Sequence, residues 1–430
     1  FQVLPGARHR LAVVYNGATW QSEVLQAAQQ PLTVLNTLPL ELLLLDSGGL
    51  PIDDARVELH RASGGHVTTT RTGNDGVAGF EVLPGATMLL EAEYNGAAYR
   101  TEPVLVEQPE QLAVSTLSFS LLLGDSQGQP ITDVRVNLRQ GSGGYIANTR
   151  TGEDGEAGFE VLPGATVLLE ADYHGDTYRT AAVQVTQDTQ LGLQTLPLQL
   201  LLVDSQGQPI ADVRVNLRRA SGSYVANALT GEDGVASFEV LPGAEMLLEA
   251  DLLGTTSRTA AVTVDQATQL QLQTLSSGLL LLDSQGSPIA DVAVELQRSN
   301  GSRLATTRTG EDGVAAFELL PGATMRLEAD LLGKAFRSAV TTITENTRLQ
   351  VQTAAISVLL TRAGAPIASQ PVDLLPASGN GRLLYLRTSD EGLVTFEVLP
   401  GTTYRVRASY NGVTWTSERL TAPAEVMRSF

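Results

Sequence analysis

The sequence has 430 residues, no cysteine and a formal net charge of −19. The lack of cysteine excludes disulfides and every cysteine-based metal or redox motif. The acidic charge argues against nucleic acid and anionic membranes as partners, because both require a basic face. The sequence contains no run of about 18 apolar residues, so no membrane insertion is expected in this segment.

One short phrase recurs along the chain at a constant interval. It reads FEVLPGAT from Phe80 to Thr87. Its prolines, each 79 residues after the one before, are Pro5, Pro84, Pro163, Pro242, Pro321 and Pro400. A constant interval of this size predicts a tandem array. The predicted units are a partial repeat at 1–39, complete repeats at 40–118, 119–197, 198–276 and 277–355, and a divergent, nearly complete repeat at 356–430. Because the chain opens inside a repeat, we expect the array to continue before it.

The first complete repeat has the periodicity of β-strands. Val57 and Leu59 alternate with the polar residues Arg56, Glu58 and His60, which is the period of two expected for a half-buried strand. Turn residues then divide the repeat into about seven strands, predicted at 41–45, 56–61, 66–72, 77–83, 88–94, 98–106 and 111–117. Short strands without any helix-period segment predict an all-β fold, a tandem array of immunoglobulin-like antiparallel β-sandwich domains.

Two turns of the repeat have specific conformational requirements. Asn95-Gly96 predicts a type I′ hairpin, since both residues tolerate positive φ. Two repeats carry Leu253-Gly254 and Leu332-Gly333 instead, and these predict another turn type because leucine is strained at positive φ. Pro84-Gly85 predicts a type II turn, which we expect to pass the chain from one sheet to the other.

The motifs of the repeat also resemble a known family. They are G-x-P-I-x-D-V-x-V-x-L, T-x-x-D-G, F-E-V-L-P-G and a strand that ends in N-G. Each full repeat therefore resembles the carboxypeptidase regulatory-like domain and, more loosely, the collagen-adhesin B-type repeats. The resemblance implies a prealbumin-like β-sandwich of a bacterial surface or secreted protein, where such domains serve as spacers and stalks. The B-type repeats are often locked by a Lys–Asn isopeptide bond, which is excluded across this array because Lys334 is its only lysine.

No enzyme is predicted from the distribution of reactive residues. The four histidines each occupy a different position in the repeat, so no repeated catalytic triad can be built from them. They are His9, His60, His66 and His174. No cofactor is expected either.

Aspartates of the turns recur and are the one candidate set for metal binding. These are Asp125, Asp154, Asp204, Asp233, Asp283 and Asp312. Oxygen-rich loops can bind Ca²⁺, whereas ordinary Asp-Gly turns use the same residues without an ion. Trp20 and Trp415 occupy equivalent positions after the Asn-Gly turn. Stacking on a glycan and packing within a half-buried strand are both open for these two aromatic side chains.

The joints and faces of the repeats indicate how the array is used. Only Pro197 separates the predicted last strand of one repeat from the first strand of the next, so neighbouring repeats are expected to keep a fixed orientation, as in a stiff rod. Certain leucines fall on the outward phase of their strands and predict either a lateral assembly face or burial in the joints. They are Leu43, Leu89, Leu122, Leu168 and Leu247.

These features together predict a structural protein located on a microbial cell surface. We expect an extracellular stalk or a self-assembling fibre, whose partners are the neighbouring repeats and further copies of the chain. The alternative is an adhesin whose repeats bind a glycan or a protein of a host or neighbouring cell.

Overall fold

The computed structural model describes residues 2–4, 6–26 and 33–430. Phe1 and Pro5 of the first phrase lie outside the described residues. The chain divides into two compact units, each treated by itself below. The first comprises 1–197 with the short segments 239–244 and 263–267, and the second comprises the remaining residues. Among the described segments, no helix is long and apolar enough to span a membrane.

Each of the four complete repeats contains eight strands, and the nearly complete fifth repeat contains nine. In the partial repeat the described strands are β1 (Arg8–His9), β2 (Ala12–Tyr15), β3 (Ala18–Gln21) and β4 (Leu25–Gln26). The first complete repeat contains β5 (Leu38–Leu45), β6 (Arg56–Arg61), β7 (His66–Arg71), β8 (Val77–Val82), β9 (Ala86–Tyr94), β10 (Ala97–Arg100), β11 (Val104–Val106) and β12 (Glu110–Ser115). The second contains β13 (Leu117–Gly124), β14 (Arg135–Gln140), β15 (Tyr145–Arg150), β16 (Glu156–Val161), β17 (Thr166–Tyr173), β18 (Asp176–Arg179), β19 (Val183–Gln184) and β20 (Thr189–Gln194).

The second unit continues the same strand order. The strands of the third complete repeat are β21 (Leu196–Val203), β22 (Arg214–Arg219), β23 (Tyr224–Leu229), β24 (Val235–Val240), β25 (Ala244–Leu252), β26 (Thr255–Arg258), β27 (Val262–Val264) and β28 (Thr268–Gln273). The fourth contains β29 (Leu275–Leu282), β30 (Ala293–Arg298), β31 (Arg303–Arg308), β32 (Val314–Leu319), β33 (Thr324–Leu331), β34 (Lys334–Arg337), β35 (Thr341–Thr342) and β36 (Thr347–Gln352). The fifth contains β37 (Ala354–Arg362), β38 (Ala365–Pro366), β39 (Pro371–Pro376), β40 (Leu384–Arg387), β41 (Leu393–Val398), β42 (Thr403–Tyr410), β43 (Val413–Thr416), β44 (Leu420–Thr421) and β45 (Ala424–Ser429).

The strands of the first complete repeat form two sheets. One has the order β12-β5-β8, and the other has the order β10-β9-β6-β7 with β11 paired to β9 as well. The inward side chains of both sheets share one core, which includes Leu40, Leu42, Val57, Leu90 and Phe80. The predicted all-β sandwich is therefore confirmed, and its two-sheet plan recurs in the later repeats.

One pair of strands is parallel rather than antiparallel. β12 runs parallel to β5, with Leu112 opposite Leu42, whereas β5 and β8 are antiparallel. A parallel pair needs a long crossover, and here the whole five-stranded sheet lies between β5 and β12 in the sequence. Short-range turn signals therefore do not constrain this pairing.

The predicted strand at 98–106 is two strands. β10 pairs with the end of β9 at Glu91–Tyr94, and β11 pairs with its beginning at Ala86–Met88. Between them, the Thr101 hydroxyl accepts a hydrogen bond from the Leu90 amide at 3.0 Å. Pro103 follows and has no amide hydrogen for a ladder, so the strand is interrupted there.

The two turns of the repeat differ in how well the sequence predicts them. The Ala86 amide donates to the Leu83 carbonyl at 3.1 Å, and Gly85 has φ of +79°, as a type II turn requires. This turn joins β8 to β9 and so passes between the sheets as predicted. The expectation for Leu253 and Leu332 is wrong, because they adopt φ of +50° and +54°, close to the +45° of Asn95. Their contacts explain why this strain is tolerated, as described below.

Candidate functional site: the joint between consecutive repeats

Consecutive repeats meet without a linker. In the first unit β12 ends at Ser115 and β13 begins at Leu117, so Thr116 alone lies between them, and it is only 1% exposed. Pro197, predicted to separate two strands, lies inside β21 instead. We call the contact region around Thr116 a joint, and it consists of a leucine, a glutamate and a hairpin tip.

The leucine of the joint is Leu162, in the phrase FEVLPGAT of the second complete repeat. Its side chain is fully buried within the core cluster of the preceding repeat, together with Leu40, Val57 and Met88. In the second unit Leu399 is buried in the same way in the core cluster of the fourth repeat. Each of these repeats therefore completes the core of the repeat before it.

The glutamate of the joint is Glu160, which accepts three hydrogen bonds from the preceding repeat. Ser47 donates through its amide at 2.9 Å and through its hydroxyl at 2.6 Å, and the Thr116 hydroxyl donates to the same carboxylate. Hydrogen bonds to a charged acceptor are among the stronger ones in proteins. The carboxylate thus satisfies the donors at the end of one sandwich with an acceptor from the next.

The same glutamate recurs at two joints of the second unit. Glu318 accepts from the Ser205 amide at 2.9 Å and hydroxyl at 2.7 Å, and from the Thr274 hydroxyl. Glu397 accepts from Ser284 at the same two distances, and from Thr353. In every case the serine and the glutamate are 113 residues apart.

The hairpin between β9 and β10 forms the third part of the joint. The Asn95 side-chain amide donates to the Glu160 carbonyl at 2.7 Å, and the Gly96 carbonyl accepts from Gln140 at 3.2 Å. A side chain at Gly96 would lie 3.1 Å from Ile146, so glycine is needed for the close approach as well as for its φ of +69°. The following repeat therefore restricts which residues the hairpin tip can contain.

Leucine at the hairpin tip makes an apolar version of this contact. Leu253 packs against the core cluster of the fourth repeat, and Leu332 packs against that of the fifth. Full burial of a leucine side chain contributes about 1.5–3 kcal/mol. Both leucines are half-buried, so their packing offsets part of the strain of about 1–3 kcal/mol for a non-glycine residue at positive φ.

The sequence predicts a role for the phenylalanine and valine of the phrase, and for its Pro-Gly turn, but not for the intervening glutamate and leucine. A signal for them exists. Glu160 lies on the outward phase of β16, where composition normally varies, yet glutamate recurs there at Glu81, Glu239, Glu318 and Glu397. Its partner serine recurs equally in the first turn of the repeat, which would have suggested a contact.

The candidate calcium ligands lie in turns and bond the backbone. One oxygen of Asp125 accepts from the amides of Gln127 and Gln129, both at 2.8 Å, and Asp154 accepts from the Glu156 amide at 2.9 Å. Their counterparts Asp204, Asp283, Asp233 and Asp312 make the equivalent bonds. Among the described residues, none of the six belongs to a group of three close metal donors. Calcium binding stays a prediction.

The candidate assembly leucines differ in exposure. Leu89, Leu168 and Leu247 are 5%, 6% and 9% exposed, whereas Leu122 is 40% exposed and Leu43 is half-buried. The first three point away from the core, but each lies directly opposite a long side chain of the adjacent strand. The facing pairs are Leu89 with His60, Leu168 with Arg139, and Leu247 with Arg218. Strand phase sets the direction of a side chain and not its exposure, so these three positions form no exposed stripe.

The two tryptophans are half-buried strand residues. Trp20 lies opposite Val13 on the neighbouring strand, and Trp415 packs against the core cluster of the fifth repeat. The Arg428 guanidinium lies 5.8 Å from the centre of the Trp415 ring. Trp415 therefore packs on its own repeat, and glycan stacking stays a prediction for both side chains.

A buried glutamate on the outer face of the five-stranded sheet binds two arginines. Arg139 lies 2.8 Å from one oxygen of Glu170, and the Nε of Arg179 donates to the other at 3.0 Å. Burial by itself raises the pKa of the Glu170 carboxyl, but the two guanidinium hydrogen bonds outweigh it, and the pKa lies below its ordinary value. Glu249 has the same environment in the third repeat, between Arg218 and Arg258.

The lowered pKa predicts how the stability of the fold depends on pH. Its contribution is present above the unfolded-state pKa of about 4.3 and is lost as pH falls through the lower folded-state value. Glu170→Gln should therefore be less stable than the parent at pH 7 and lose less stability than the parent on acidification. Urea unfolding at pH 7 and pH 3 measures this difference. The exposed control Glu107→Gln should follow the parent, and an unchanged pH profile in Glu170→Gln would contradict the prediction.

No protein-family model matches the sequence, and no curated protein matches it significantly. Among solved structures, the chain is similar to GBS52, the minor pilin of Streptococcus agalactiae, at 15% identity and a TM-score of 0.22, covering 36% of this chain and 94% of that chain. It is similar to BcpA, the major pilin subunit of Bacillus cereus, at 10% identity and a TM-score of 0.17, covering 55% and 99%. The major pilin SpaD of Corynebacterium diphtheriae matches at 10% identity and a TM-score of 0.18, covering 73% and 96%.

The two-sheet geometry of each repeat confirms the resemblance to prealbumin-like β-sandwich repeats at the level of fold. At such low identities and scores the pilins are similar chains and no more. The function proposed below rests on the joints of this chain.

Proposed function

We propose that this chain is a structural component of an extracellular stalk or self-assembling fibre on a microbial cell surface. The recurring joint is the observation that carries the proposal. Leucine burial, glutamate hydrogen bonds and a docked hairpin tip hold neighbouring repeats together within each unit. A protein that spans a distance and bears mechanical load needs such joints, whereas a set of independent binding modules does not.

The energetics of the joint support the same function. The second complete repeat and the fifth repeat each contribute a leucine, Leu162 and Leu399, to the core of the repeat before it, so these neighbours stabilise one another. The stability of such an array is approximately the sum of the stabilities of its repeats and of the interfaces between neighbours. Further repeats can therefore lengthen the array while each keeps the same core. A load along the chain is carried from one sandwich to the next through Glu160 and its equivalents rather than through a flexible linker.

Electron microscopy of the negatively stained full chain tests this proposal. We expect elongated particles of uniform length, because the three contacts of a joint, made by its leucine, its glutamate and its hairpin tip, restrict rotation between repeats. Particles in which the angles between consecutive repeats vary at random would contradict the proposal. In that case the repeats would act as independent modules.

Self-assembly is the finer part of the proposal, and Leu122 is the residue that tests it. Its side chain is the most exposed of the candidate assembly leucines, and two small neighbours, Gly192 beside it and Gly124 at the strand end, leave it uncovered. If copies of the chain associate through this face, Leu122→Asp should abolish concentration-dependent association in sedimentation velocity. Leu105→Asp, at a comparably exposed leucine of another strand, is the control. If the parent chain stays monomeric up to the highest accessible concentration, the proposed self-assembling fibre is contradicted. The proposed stalk, which needs only one chain, is not.

A further inference from the structure

Three potential metal ligands meet on the outer face of the five-stranded sheet in the first complete repeat. Glu58 and His60 lie on the same side of β6, and Glu91 lies on β9 directly opposite Glu58. One donor atom from each residue falls within 4.8 Å of the others. Like charges directly opposite each other destabilise a sheet, so the two carboxylates favour a hydrogen-bond donor or a positive charge between them.

His60 is held with one ring nitrogen facing both carboxylates. Its Nδ1 lies 3.3 Å from the Gly64 carbonyl, which can only accept, so Nδ1 carries a hydrogen. Its Nε2 lies 2.9 Å from Glu58 Oε2 and 3.4 Å from Glu91 Oε2. The residue is 5% exposed. Without an ion, Nε2 must also carry a hydrogen, because the carboxylate oxygens it faces can only accept. A metal ion between Nε2 and the two carboxylates would take the place of that hydrogen. A backbone carbonyl on the other ring nitrogen is the usual support of a metal-binding histidine.

The equivalent position holds a positive charge in the next two repeats and the neutral Gln297 in the fourth, where its amide donates to both facing glutamates. The charged residues are Arg139 and Arg218, which lie 2.8 Å from Glu170 and Glu249. Arginine is permanently charged, whereas histidine is not. Of these three repeats, only the first has a side chain at this position that can bind a metal ion, the imidazole of His60.

Two arginines already contact the carboxylates, and a cation at this place competes with one of them. Arg56 binds Glu93 and the Oε1 of Glu58, which leaves the Oε2 of Glu58 directed at His60. Arg100 donates through two nitrogens to the Oε2 of Glu91, the same oxygen that faces His60. Its side chain is 51% exposed, so an ion that binds Glu91 can displace it into solvent. The three glutamates Glu58, Glu91 and Glu93 outnumber the two arginines by one negative charge.

We propose that Glu58, His60 and Glu91 form a binding site for a divalent transition-metal ion, with Zn²⁺ as the best fit. Zinc takes imidazole and carboxylate ligands in tetrahedral geometry at about 2.0–2.1 Å, which places ligand atoms about 3.3 Å apart. The distances from His60 Nε2 to the two carboxylate oxygens, 2.9 and 3.4 Å, are close to that separation. Water completes the coordination. The ion joins β6 to β9 and adds its binding free energy to the stability of this repeat.

Titration of the full chain with Zn²⁺ after chelator treatment tests the site. Calorimetry should show one tight site per chain. Binding of Co²⁺ as a spectroscopic substitute should give the visible absorption of a tetrahedral complex. His60→Arg introduces the residue found at this position in the next two repeats, so it is compatible with the fold. This variant should lose the site, and Glu58→Asn, which matches Asn137 and Asn216, should weaken it.

His66→Ala is the matched control, because His66 is exposed and lies with its ring centre 5.6 Å from that of His60. It should keep both the stoichiometry and the Co²⁺ spectrum. The absence of a stoichiometric site in the parent chain would overturn the proposal. Undiminished binding by His60→Arg would overturn it as well, since the ion would then be held by other residues.

Discussion

Leu162→Ala should destabilise the repeat that precedes it, although Leu162 belongs to the following one. Its side chain is fully buried in the core of repeat 40–118, and truncation of a buried leucine typically costs about 2–5 kcal/mol. Hydrogen exchange measured by mass spectrometry on the full chain should therefore show lost protection in peptides from both 40–118 and 119–197.

An exposed leucine of the first complete repeat provides the control for this experiment. Leu105 is 55% exposed, and Leu105→Ala should change stability by no more than about 0.5 kcal/mol. If Leu162→Ala lowered protection in 119–197 alone, the two repeats would be energetically independent and the proposed coupling would be wrong.

Glu160→Ala should weaken the same joint by about 2–3 kcal/mol, mainly because it leaves the buried Thr116 hydroxyl without its acceptor, while water can bond the exposed Ser47 donors instead. Thr116 is 1% exposed, so water cannot readily replace the carboxylate. Glu160→Gln should cost only about 1 kcal/mol. Its amide oxygen can still accept from the Ser47 amide and Thr116, and its NH₂ group can donate to the Ser47 hydroxyl.

Chemical denaturation of the two variants side by side measures this difference. The exposed turn residue Glu153 supplies the control Glu153→Ala, which should be neutral. Glu397→Ala should repeat the effect in the second unit, where Ser284 and Thr353 are the donors. Equal losses in Glu160→Ala and Glu160→Gln would show that the charge, rather than the hydrogen bonds, holds the joint.

Much of the fold within a repeat can be predicted from its sequence, because it depends on local signals. Alternation places Val57 and Leu59 in the core, and Pro84-Gly85 turns the chain between sheets. The failures occur where a residue distant in sequence decides the outcome. Leu253 adopts positive φ because its side chain packs on the next repeat, and Leu89 is buried although its strand phase points it away from the core.

The candidate site shows the same division more sharply. Residue type and recurrence point to the aspartates, whose oxygens accept hydrogen bonds from the amides of their own turns. Strand alternation does not distinguish Glu160, because a glutamate on the exposed phase is ordinary in a strand. Its function depends on Ser47, 113 residues earlier in the chain, and no local pattern reports a contact over that distance.

The sequence by itself determined the array: the interval of 79 residues, the β-sandwich class and the absence of linkers follow from periodicity and turn chemistry, which act over a few residues. Only the tertiary structure decided what the phrase FEVLPGAT does. Its phenylalanine and valine belong to the core of their own repeat, while its leucine fills the core of the repeat before and its glutamate accepts that repeat's hydrogen bonds. Burial and hydrogen bonding between repeats depend on which surfaces meet in space, and the order of residues within one repeat does not specify that.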